Sequence, residues 1–272
     1  MIVRPGRPVP VRRRVLVSAL LLVALVVPAA HAARTVAEAL AAGDQAYAAA
    51  RLDEARLAYT EAVKEAPTNV TALARLVRAE SEWGESQKGD AQRAMFGSAV
   101  AHAREAVRLA PDSAAMHVWL AVALGRQALR EGARTKLAIS REIKAEADRA
   151  IALDPNIGRA WHVMAMWNIK LASLNALERM AANAVLGGVP KGASFENAEA
   201  AFKKAIALEP DYINHRLEYG RLLKDLKRPA EARQELERAV SLPPTSSALD
   251  ARYQSEAKAL LEKLPQIGRA HV

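Results

Sequence analysis

The stretch AEAAFKKAIALEP, from Ala198 to Pro210, has the pattern of one amphipathic helix that ends at a proline. Ala201, Ala205 and Leu208 recur at the spacing that places side chains near one helical face. Pro210 disfavours a helical conformation for the residue before it, so the helix is expected to end there. The same kind of ending occurs five times in the chain, which makes this stretch one member of an internal repeat.

The repeat is marked by a short motif in which an alanine precedes the proline that closes a helix. Successive motifs are separated by 44, 44, 55 and 34 residues. A period of 34 residues is typical of two antiparallel helices that form one unit of a solenoid. The longer intervals predict the same unit with about 10, 10 and 21 added residues. The motifs are AVKEAP from Ala62, AVRLAP from Ala106, AIALDP from Ala150, AIALEP from Ala205 and AVSLPP from Ala239.

The residues around these motifs resemble the tetratricopeptide repeat (TPR) family. Alanine and glycine at a helix crossing let the axes approach, and an aromatic ring fills the groove beside them. The resemblance implies an all-α, TPR-like α-solenoid of about five helix pairs over residues 33–264, with insertions and a C-terminal capping helix. The matching residues are Ala42, Gly43, Ala55, Tyr59, Ala62 and Pro67 in the first unit, Trp161, Ala165, Ala198, Phe202, Ala205 and Pro210 in the fourth, and Tyr219, Gly220, Ala232, Leu236, Ala239 and Pro244 in the last.

A narrower resemblance covers Gly158 to Leu223, beginning GRAWHVMAMWNIKL, which is similar to part of the regulator of microtubule dynamics family. This resemblance implies a TPR-like helical binding domain. Eukaryotic members of the family are tied to microtubules or organelle contact sites, and one is linked to phospholipid binding. An exported protein would not meet tubulin, so we carry over only the fold and a binding concavity.

The first 32 residues have the pattern of a secretory signal peptide. They contain five arginines and no acid, then a mostly apolar run from Val15 to Val27 and the sequence Ala30-His31-Ala32 before the expected cleavage site. The apolar run is short for a membrane span, which needs about 20 residues. We therefore expect a periplasmic or secreted protein of the bacterial envelope, without a transmembrane segment after cleavage. An uncleaved N-terminal anchor is the alternative.

The chain ends in a short tail, residues 265–272. Its last six residues, Ile267 to Val272, resemble one reading frame of a sequencing adapter followed by a stop codon. We interpret this hexapeptide as an assembly artefact, with the natural C-terminus missing. An intact gene that ends in the same codons would contradict this interpretation.

Charge and cysteine content exclude several classes of function. The formal net charge is +9, but the five arginines of the signal account for about half of it, so nucleic acid is not an expected partner. The chain has no cysteine, which excludes disulfides, thiolate nucleophiles and cysteine-bound zinc.

No catalytic or cofactor motif is evident. The sequence lacks G-x-S-x-G, HExxH and a glycine-rich phosphate loop, so we expect no enzyme and no cofactor. His117, His162 and His215 occupy similar places in successive first helices, where stacking could bring them close enough to hold zinc. Packed or solvent-facing histidines are the favoured interpretation, and no metal site is predicted.

The predicted concave wall carries the candidate ligand-binding residues. TPR superhelices bind through the first helix of each pair, and the wall so obtained is mostly basic. It would suit a peptide carboxylate, an acidic segment or a phosphate head group. Alternatively, the wall is salt-bridged within itself, as the spacing of Arg78 and Glu82 permits. The wall residues are Tyr47, Arg78, Arg126, Arg159, His162, Lys170, Asn214, Arg221 and Lys224, with Asp44, Glu82 and Asp225 as acids.

An apolar strip in the fourth unit offers a second candidate site. Trp161, Met164, Met166 and Trp167 could line a pocket for an acyl chain, although core packing is the commoner role of such residues. Next to the strip, the insert from Leu174 to Leu186 predicts an extra helix that acts either as a lid or as packing filler.

These observations support two main functional hypotheses. The first is a non-enzymatic scaffold of the cell envelope that binds a protein or peptide segment in its concave groove. The alternative is a carrier of lipid or a small amphiphile, bound in the apolar strip. A structural subunit of a larger envelope complex is a third hypothesis, which the sequence does not separate from the first.

Overall fold

The computed structural model describes residues 35–185, 188–244 and 247–265. The predicted signal peptide, residues 1–32, and the suspected artefact, Ile267 to Val272, lie outside the described residues, so both remain predictions. Throughout the described ranges the regular structure is helical. The first helix, α1, covers residues 35–48. The others are α2 (Leu52–Glu65), α3 (Val70–Trp83), α4 (Gly89–Leu109), α5 (Ala114–Ala128), α6 (Ala133–Leu153), α7 (Gly158–Ala172), α8 (Ala176–Val185), α9 (Phe195–Leu208), α10 (Ile213–Asp225), α11 (Pro229–Ser241) and α12 (Asp250–Lys263).

The helices pack as a solenoid of pairs, which confirms the predicted all-α architecture. The pairs are α1–α2, α3–α4, α5–α6, α7–α9 and α10–α11, and each second helix also packs on the first helix of the next pair. First helices of neighbouring pairs touch directly, as α3 does with α5 and α5 with α7. The first helices therefore form one continuous layer, which is the layer that the sequence predicts as the binding wall.

The recurring form of the motif follows from how each second helix ends. Ala66, Ala110, Asp154 and Glu209 leave the helical region at φ between −144° and −129°, and a proline follows each of them. Proline disfavours the helical region for its predecessor, so the chain must turn there. Asn69 then starts α3, because its side chain accepts a hydrogen bond from the Ala72 backbone N–H at 3.0 Å.

The added residues of the second and third units lengthen their second helices. Both α4 and α6 have 21 residues, against 14 in α2 and α9. A short 3₁₀ turn at Gly84–Ser86 precedes α4, and the polar stretch that follows it is helical from Gly89 onward. The sequence predicts the tight turn of the first unit at Leu52-Asp53. This prediction is wrong, because α2 already begins at Leu52 and the turn lies before it, where Ala50 has a φ of 57°.

The largest core cluster lies in the C-terminal half and extends into α12. Phe202, Leu217 and Leu236 are fully buried, and Tyr253 and Ala257 of α12 pack against the same cluster. Covering the last apolar face of a solenoid is the role expected of a terminal helix.

Close packing between the helices of the last pair depends on Gly220. A Cβ atom at this position would lie 2.7 Å from Leu236 Cγ, and Leu236 is fully buried. Overpacking should outweigh the helix-propensity gain, so Gly220→Ala is expected to lower the free energy of unfolding by about 1–2 kcal/mol. Gly125→Ala, in α5, is the control: it meets no atom within 4 Å and should be neutral or stabilising by up to about 1 kcal/mol. Urea denaturation measures both; equal effects would contradict this account of Gly220.

Candidate functional site

Several of the predicted wall residues converge around three aromatic rings in or beside the layer of first helices. The Arg78 guanidinium lies 4.1 Å from the centroid of the Tyr47 ring and 6.0 Å from that of Trp119. The Arg159 guanidinium lies 5.9 Å from Trp119 and 5.0 Å from the ring of Tyr212. Four first-helix elements, α1, α3, α5 and α7, thus contribute to one group of arginines stacked on aromatic faces.

One end of this group contains Glu82, the wall carboxylate that pairs with Arg78. Glu82 accepts a hydrogen bond from the Tyr47 hydroxyl at 2.6 Å and lies 3.4 Å from Arg78 Nε. Burial raises the pKa of Glu82 against the lowering effect of Arg78, and burial likewise raises the pKa of Tyr47. The Tyr47 proton is therefore held on the hydroxyl, which is available to donate.

A second carboxylate, Glu85, joins the wall to the last helix. It forms a close ion pair with Arg126 of α5 and a second with Arg252 of α12, whose Nη2 lies 2.8 Å away. The Glu85 side chain is 9% exposed. Although burial opposes the charge of Arg126, the attraction of Glu85 keeps the pKa of this arginine raised. We call Tyr47, Glu82 and Glu85 the mouth cluster.

The other basic residues of the wall also have acidic neighbours. Arg221 lies 3.0 Å from Glu256 of α12 and 3.5 Å from Glu218, whose pKa is raised by burial. Lys224 lies 3.0 Å from Asp225. Lys170 is exposed at the end of α7, and the Asn214 side-chain oxygen is buried without a protein hydrogen-bond partner. Internal pairing, the alternative considered for Arg78 and Glu82, thus extends along the wall.

A pair of histidines links the fourth and fifth units. His162 Nδ1 lies 2.9 Å from His215 Nδ1, so one ring donates its proton to the other. His215 is fully buried, and its Nε2 faces Glu209 at 3.6 Å, beyond hydrogen-bond distance. Burial lowers the pKa of both histidines, and for His162 the neighbouring His215 adds to the effect. Both rings are therefore neutral packing groups at pH 7.

Glu209 holds the start of α7, the helix that carries His162. Its Oε1 accepts a hydrogen bond from the Arg159 backbone N–H at 3.1 Å, and its Oε2 lies 3.4 Å from Arg159 Nε. Gly158 leaves room for this carboxylate, because a Cβ there would lie 2.8 Å from Glu209 Cγ. The glutamate of the AIALEP motif thus binds the start of α7.

The third histidine considered for zinc lies apart from this pair. His117 Nδ1 is 2.5 Å from Glu146 Oε2, and His117 Nε2 is 2.8 Å from the Pro111 carbonyl oxygen. Within the described ranges, no group of three or more His, Cys, Asp or Glu side chains is placed to hold a metal ion.

The histidine pair predicts a specific pH dependence of stability. Because its pKa is lowered on folding, the folded chain binds fewer protons than the unfolded chain below about pH 6.5, and acidification should favour unfolding. His102 has the opposite effect on stability, because its hydrogen bond with Glu80 raises its pKa. The stability that His102 contributes is fully present below about pH 6.5 and is lost as the pH rises through the raised pKa.

We therefore expect His162→Gln to flatten the loss of stability between about pH 7 and pH 5.5, and His102→Gln to steepen it. Urea denaturation at a series of pH values measures both slopes. Identical slopes for the two variants would contradict the opposite pKa shifts of His162 and His102.

The apolar strip of the fourth unit takes part in core packing. Trp167 is 5% exposed and donates its indole N–H to the Ser140 carbonyl oxygen at 2.8 Å. Trp161 donates to the Pro155 carbonyl oxygen at 3.0 Å, while Met164 and Met166 pack against the C-terminal core cluster. The four residues do not share one environment: Trp167 packs toward α6, and the other three contact the core formed with α9 and α10.

The predicted extra helix is present as α8, but its apolar face points to solvent. Asn175 and Glu178 cap its start reciprocally, each accepting a backbone hydrogen bond at 2.9 Å from the other. Leu177 is 69% exposed and Met180 63% exposed, and Ala181 and Ala184 continue the exposed stripe one turn apart. The helix is thus an amphipathic element whose apolar side lies outward.

Sequence reasoning did not single out Glu85, Glu209, Tyr212 and Arg252, although each has a partner in the wall. Glu82 lies four residues after Arg78 on one helix, whereas the contacts that join these four residues to the wall or to the mouth cluster are with residues distant in sequence. Among the described residues, no helix combines the length and apolar composition needed to cross a membrane.

Helix pairs stacked so that their first helices form one layer define a protein of the TPR class. Among solved structures, a TPR protein of Thermus thermophilus matches with a TM-score of 0.60 at 22% identity, over 81% of this chain and 98% of that chain. A profile described as Regulator of microtubule dynamics protein 1-3 matches residues 39–265. The chain belongs to this family.

Two relatives show how much of the family proteins the chain represents. Regulator of microtubule dynamics protein 1 of Caenorhabditis elegans is 30% identical over 191 residues, which are 70% of this chain and 84% of that protein. Regulator of microtubule dynamics protein 3 of Mus musculus is also 30% identical, over 192 residues, but these are only 40% of the mouse protein. The chain therefore spans less than half the length of the mouse relative.

Proposed function

We propose that this protein is a non-enzymatic interaction scaffold that binds a segment of a partner protein in its concave groove. The observation that carries the proposal is the set of arginines stacked on aromatic faces, Arg78 and Arg159 around Trp119, in the layer through which helix-pair solenoids present their binding surface. Guanidinium groups held in this way are well placed for carboxylates, because their planar donor geometry is already fixed.

Ion-pair exchange is the proposed mode of binding. The contacts from Arg78 to Glu82 and from Arg159 to Glu209 are both 3.4 Å between the nearest atoms, which is longer than a strong charge-assisted hydrogen bond. An acidic partner segment could make shorter contacts with these arginines. The wall carboxylates would keep their other hydrogen bonds, from the Tyr47 hydroxyl to Glu82 and from the Arg159 backbone N–H to Glu209. Such exchange favours specificity and rapid association more than affinity.

Export to the bacterial envelope is also part of the proposal, supported by the signal-like pattern of residues 1–32. A microtubule partner, suggested by the names of the relatives, is not proposed, because an exported protein would not meet tubulin. Mass spectrometry of the N-terminus of protein from fractionated cells tests the location. A chain that starts at Ala33 in the periplasm or medium supports it, and an unprocessed cytoplasmic chain contradicts it.

Charge reversal at the C-terminal end of the wall is expected to weaken peptide binding. We predict that Arg221→Glu with Lys224→Glu lowers the affinity for acidic peptides about tenfold or more, because two attractive contacts become repulsive. Fluorescence anisotropy with short synthetic peptides graded from acidic to basic measures the effect.

The matched control reverses two arginines whose partners lie outside the concave wall. Arg104 pairs with Glu142 between α4 and α6, and Arg149 pairs with Asp112. Arg104→Glu with Arg149→Glu produces the same change in net charge and should leave peptide affinity nearly unchanged. Equal losses for both double variants, or no binding of any peptide, would count against the groove.

A carrier of lipid or a small amphiphile is the second candidate, favoured by the exposed apolar stripe of α8. Native mass spectrometry of protein purified without detergent tests it. A bound amphiphile that is lost in Leu177→Glu with Met180→Glu, but retained in the exposed-leucine control Leu57→Glu, would support this function. Absence of any bound lipid, together with no uptake of fluorescent phospholipid, would remove it.

A further inference from the structure

The groove is closed by contacts between the two ends of the described chain. Ser247 donates its hydroxyl to Glu82 Oε1 at 3.3 Å, and the Ala248 backbone N–H donates to the Tyr47 hydroxyl oxygen at 3.2 Å. Arg252 forms its ion pair with Glu85 at 2.8 Å. These pairs are separated by between 165 and 201 residues in sequence, so the segment 247–252 bridges the last helix to the first two units.

The bridging segment is held in a defined conformation. The Ser247 backbone N–H donates to Asp250 Oδ2 at 2.9 Å, and the Leu249 backbone N–H donates to the Ser247 hydroxyl oxygen at 3.1 Å. The hydroxyl, the Ala248 amide and the Arg252 guanidinium are therefore presented together to the mouth cluster. Such presentation is what a bound peptide segment would provide.

The two sides of this segment are attached by different forces. On the side of α10 and α11, Leu249, Tyr253 and Ala257 are buried in the C-terminal core cluster, an extensive apolar contact. On the side of the mouth cluster the contacts are polar, with Leu52 of α2 as a partly buried apolar neighbour. Because water can replace polar contacts more easily than a buried apolar core, the closure should open at the mouth cluster while α12 stays on α11.

We propose that residues 247–252 are an intramolecular clasp that occupies the mouth cluster, and that the partner segment displaces this clasp by supplying the same groups. The partner would bring a guanidinium to Glu85 and hydroxyl or amide donors to Glu82 and Tyr47. This inference rests on the proposed function and specifies the partner further: a basic residue at the mouth, with acidic residues along the arginines beyond it.

Pulsed electron paramagnetic resonance on the full chain tests the clasp without any partner. The chain has no cysteine, so Glu61→Cys in α2 and Lys258→Cys in α12, both exposed, give two clean labelling sites. We expect one narrow distance in the labelled parent. Removing the clasp donors by Ser247→Ala with Arg252→Ala should add a longer distance and raise the open population about tenfold or more.

Two controls separate opening from general damage. Arg252→Lys keeps a cation beside Glu85 and should keep most molecules closed, and Arg104→Ala removes an arginine outside the groove and should change nothing. Cooperative thermal unfolding of each variant verifies that α12 remains packed on α11. A distance distribution that is the same in all variants would overturn the clasp.

The partner chemistry is tested with the clasp sequence itself as a probe. The peptide SALDARYQ, residues 247–254, added at millimolar concentration should shift the labelled parent toward the longer distance, whereas the same peptide with alanine in place of its arginine should not. Equal effects of the two peptides would overturn the assignment to Glu85. If the distances respond but no acidic peptide binds the wall, the clasp stands and the proposed function fails.

Discussion

Phe202→Ala is expected to lower the free energy of unfolding by about 4 kcal/mol, as large aromatic truncations in a closed core do. Phe202 is fully buried in α9, with the rings of His162 and Tyr219 at 5.4 and 5.8 Å between centroids. Its cluster holds α7, α9, α10, α11 and α12 together, so no single neighbour can fill the cavity. Urea denaturation followed by circular dichroism measures the loss.

The same helix provides a matched control for this prediction. Phe195, at the start of α9, is only partly buried and packs against the edge of the same cluster. Phe195→Ala removes the same atoms from a more exposed site, so the expected loss is about 1–2 kcal/mol, in proportion to the smaller buried area. Similar losses at both positions would show that the C-terminal cluster is not the main core.

The second large loss of stability is expected at Glu85, whose carboxylate forms ion pairs with two arginines. Glu85→Gln keeps the side-chain shape but leaves Arg126 and Arg252 without this counter-charge. Removing one member of a buried pair costs about 3–5 kcal/mol. The two arginine side chains are 26% and 46% exposed, so water offsets part of the loss and we expect about 2 kcal/mol.

An exposed pair on α4 is the control for Glu85. Glu105 forms an ion pair with Arg108 three residues later, and both side chains are solvent-accessible. Glu105→Gln should therefore have no measurable effect on the urea midpoint. If Glu85→Gln were equally silent, Glu85 would not connect the wall to α12. If Glu85→Gln destabilises the chain and also lengthens the distance in the spin-labelled protein, both roles of Glu85 are confirmed: pairing with the wall through Arg126 and holding the clasp through Arg252.

Much of the fold follows from local rules that act within one helix pair. The prolines at positions 67, 111, 155 and 210 end helices wherever they occur, and Asn69 caps α3 as its sequence position suggests. Gly43 and Gly220 sit where Tyr59 and Leu236 need space. These signals depend on neighbours at most one helix away, which is why the spacing of the motif predicts the helix pairs.

Long-range closure does not follow from such rules. The contact between Tyr47 and Ala248 depends on the summed rotation of every unit, and the units here differ in length. The added residues of the second and third units extend α4 and α6 to 21 residues each, so the solenoid is not built from identical units. The sequence therefore predicts a groove but not that the chain's own residues 247–252 close it.

The same limit applies to the candidate site. Arg78 and Glu82 can be paired from their spacing on one helix, whereas the pairs Arg159–Glu209 and Arg221–Glu256 require the positions of two helices. Trp119 lies between two guanidinium groups, those of Arg78 and Arg159. Residue type alone does not show which face a tryptophan presents to which neighbour.

Hydrogen exchange measured by mass spectrometry tests the central claim, that partner segments bind on the concave layer. The probe is the tightest-binding member of the charge-graded peptides, extended by one arginine that can reach Glu85, and it is added at saturation to the full chain. We predict protection in α3, α5, α7 and α10, together with faster exchange at residues 247–252 as the clasp is displaced. Protection confined to α4, α6, α9 and α11, with no change at residues 247–252, would contradict the account.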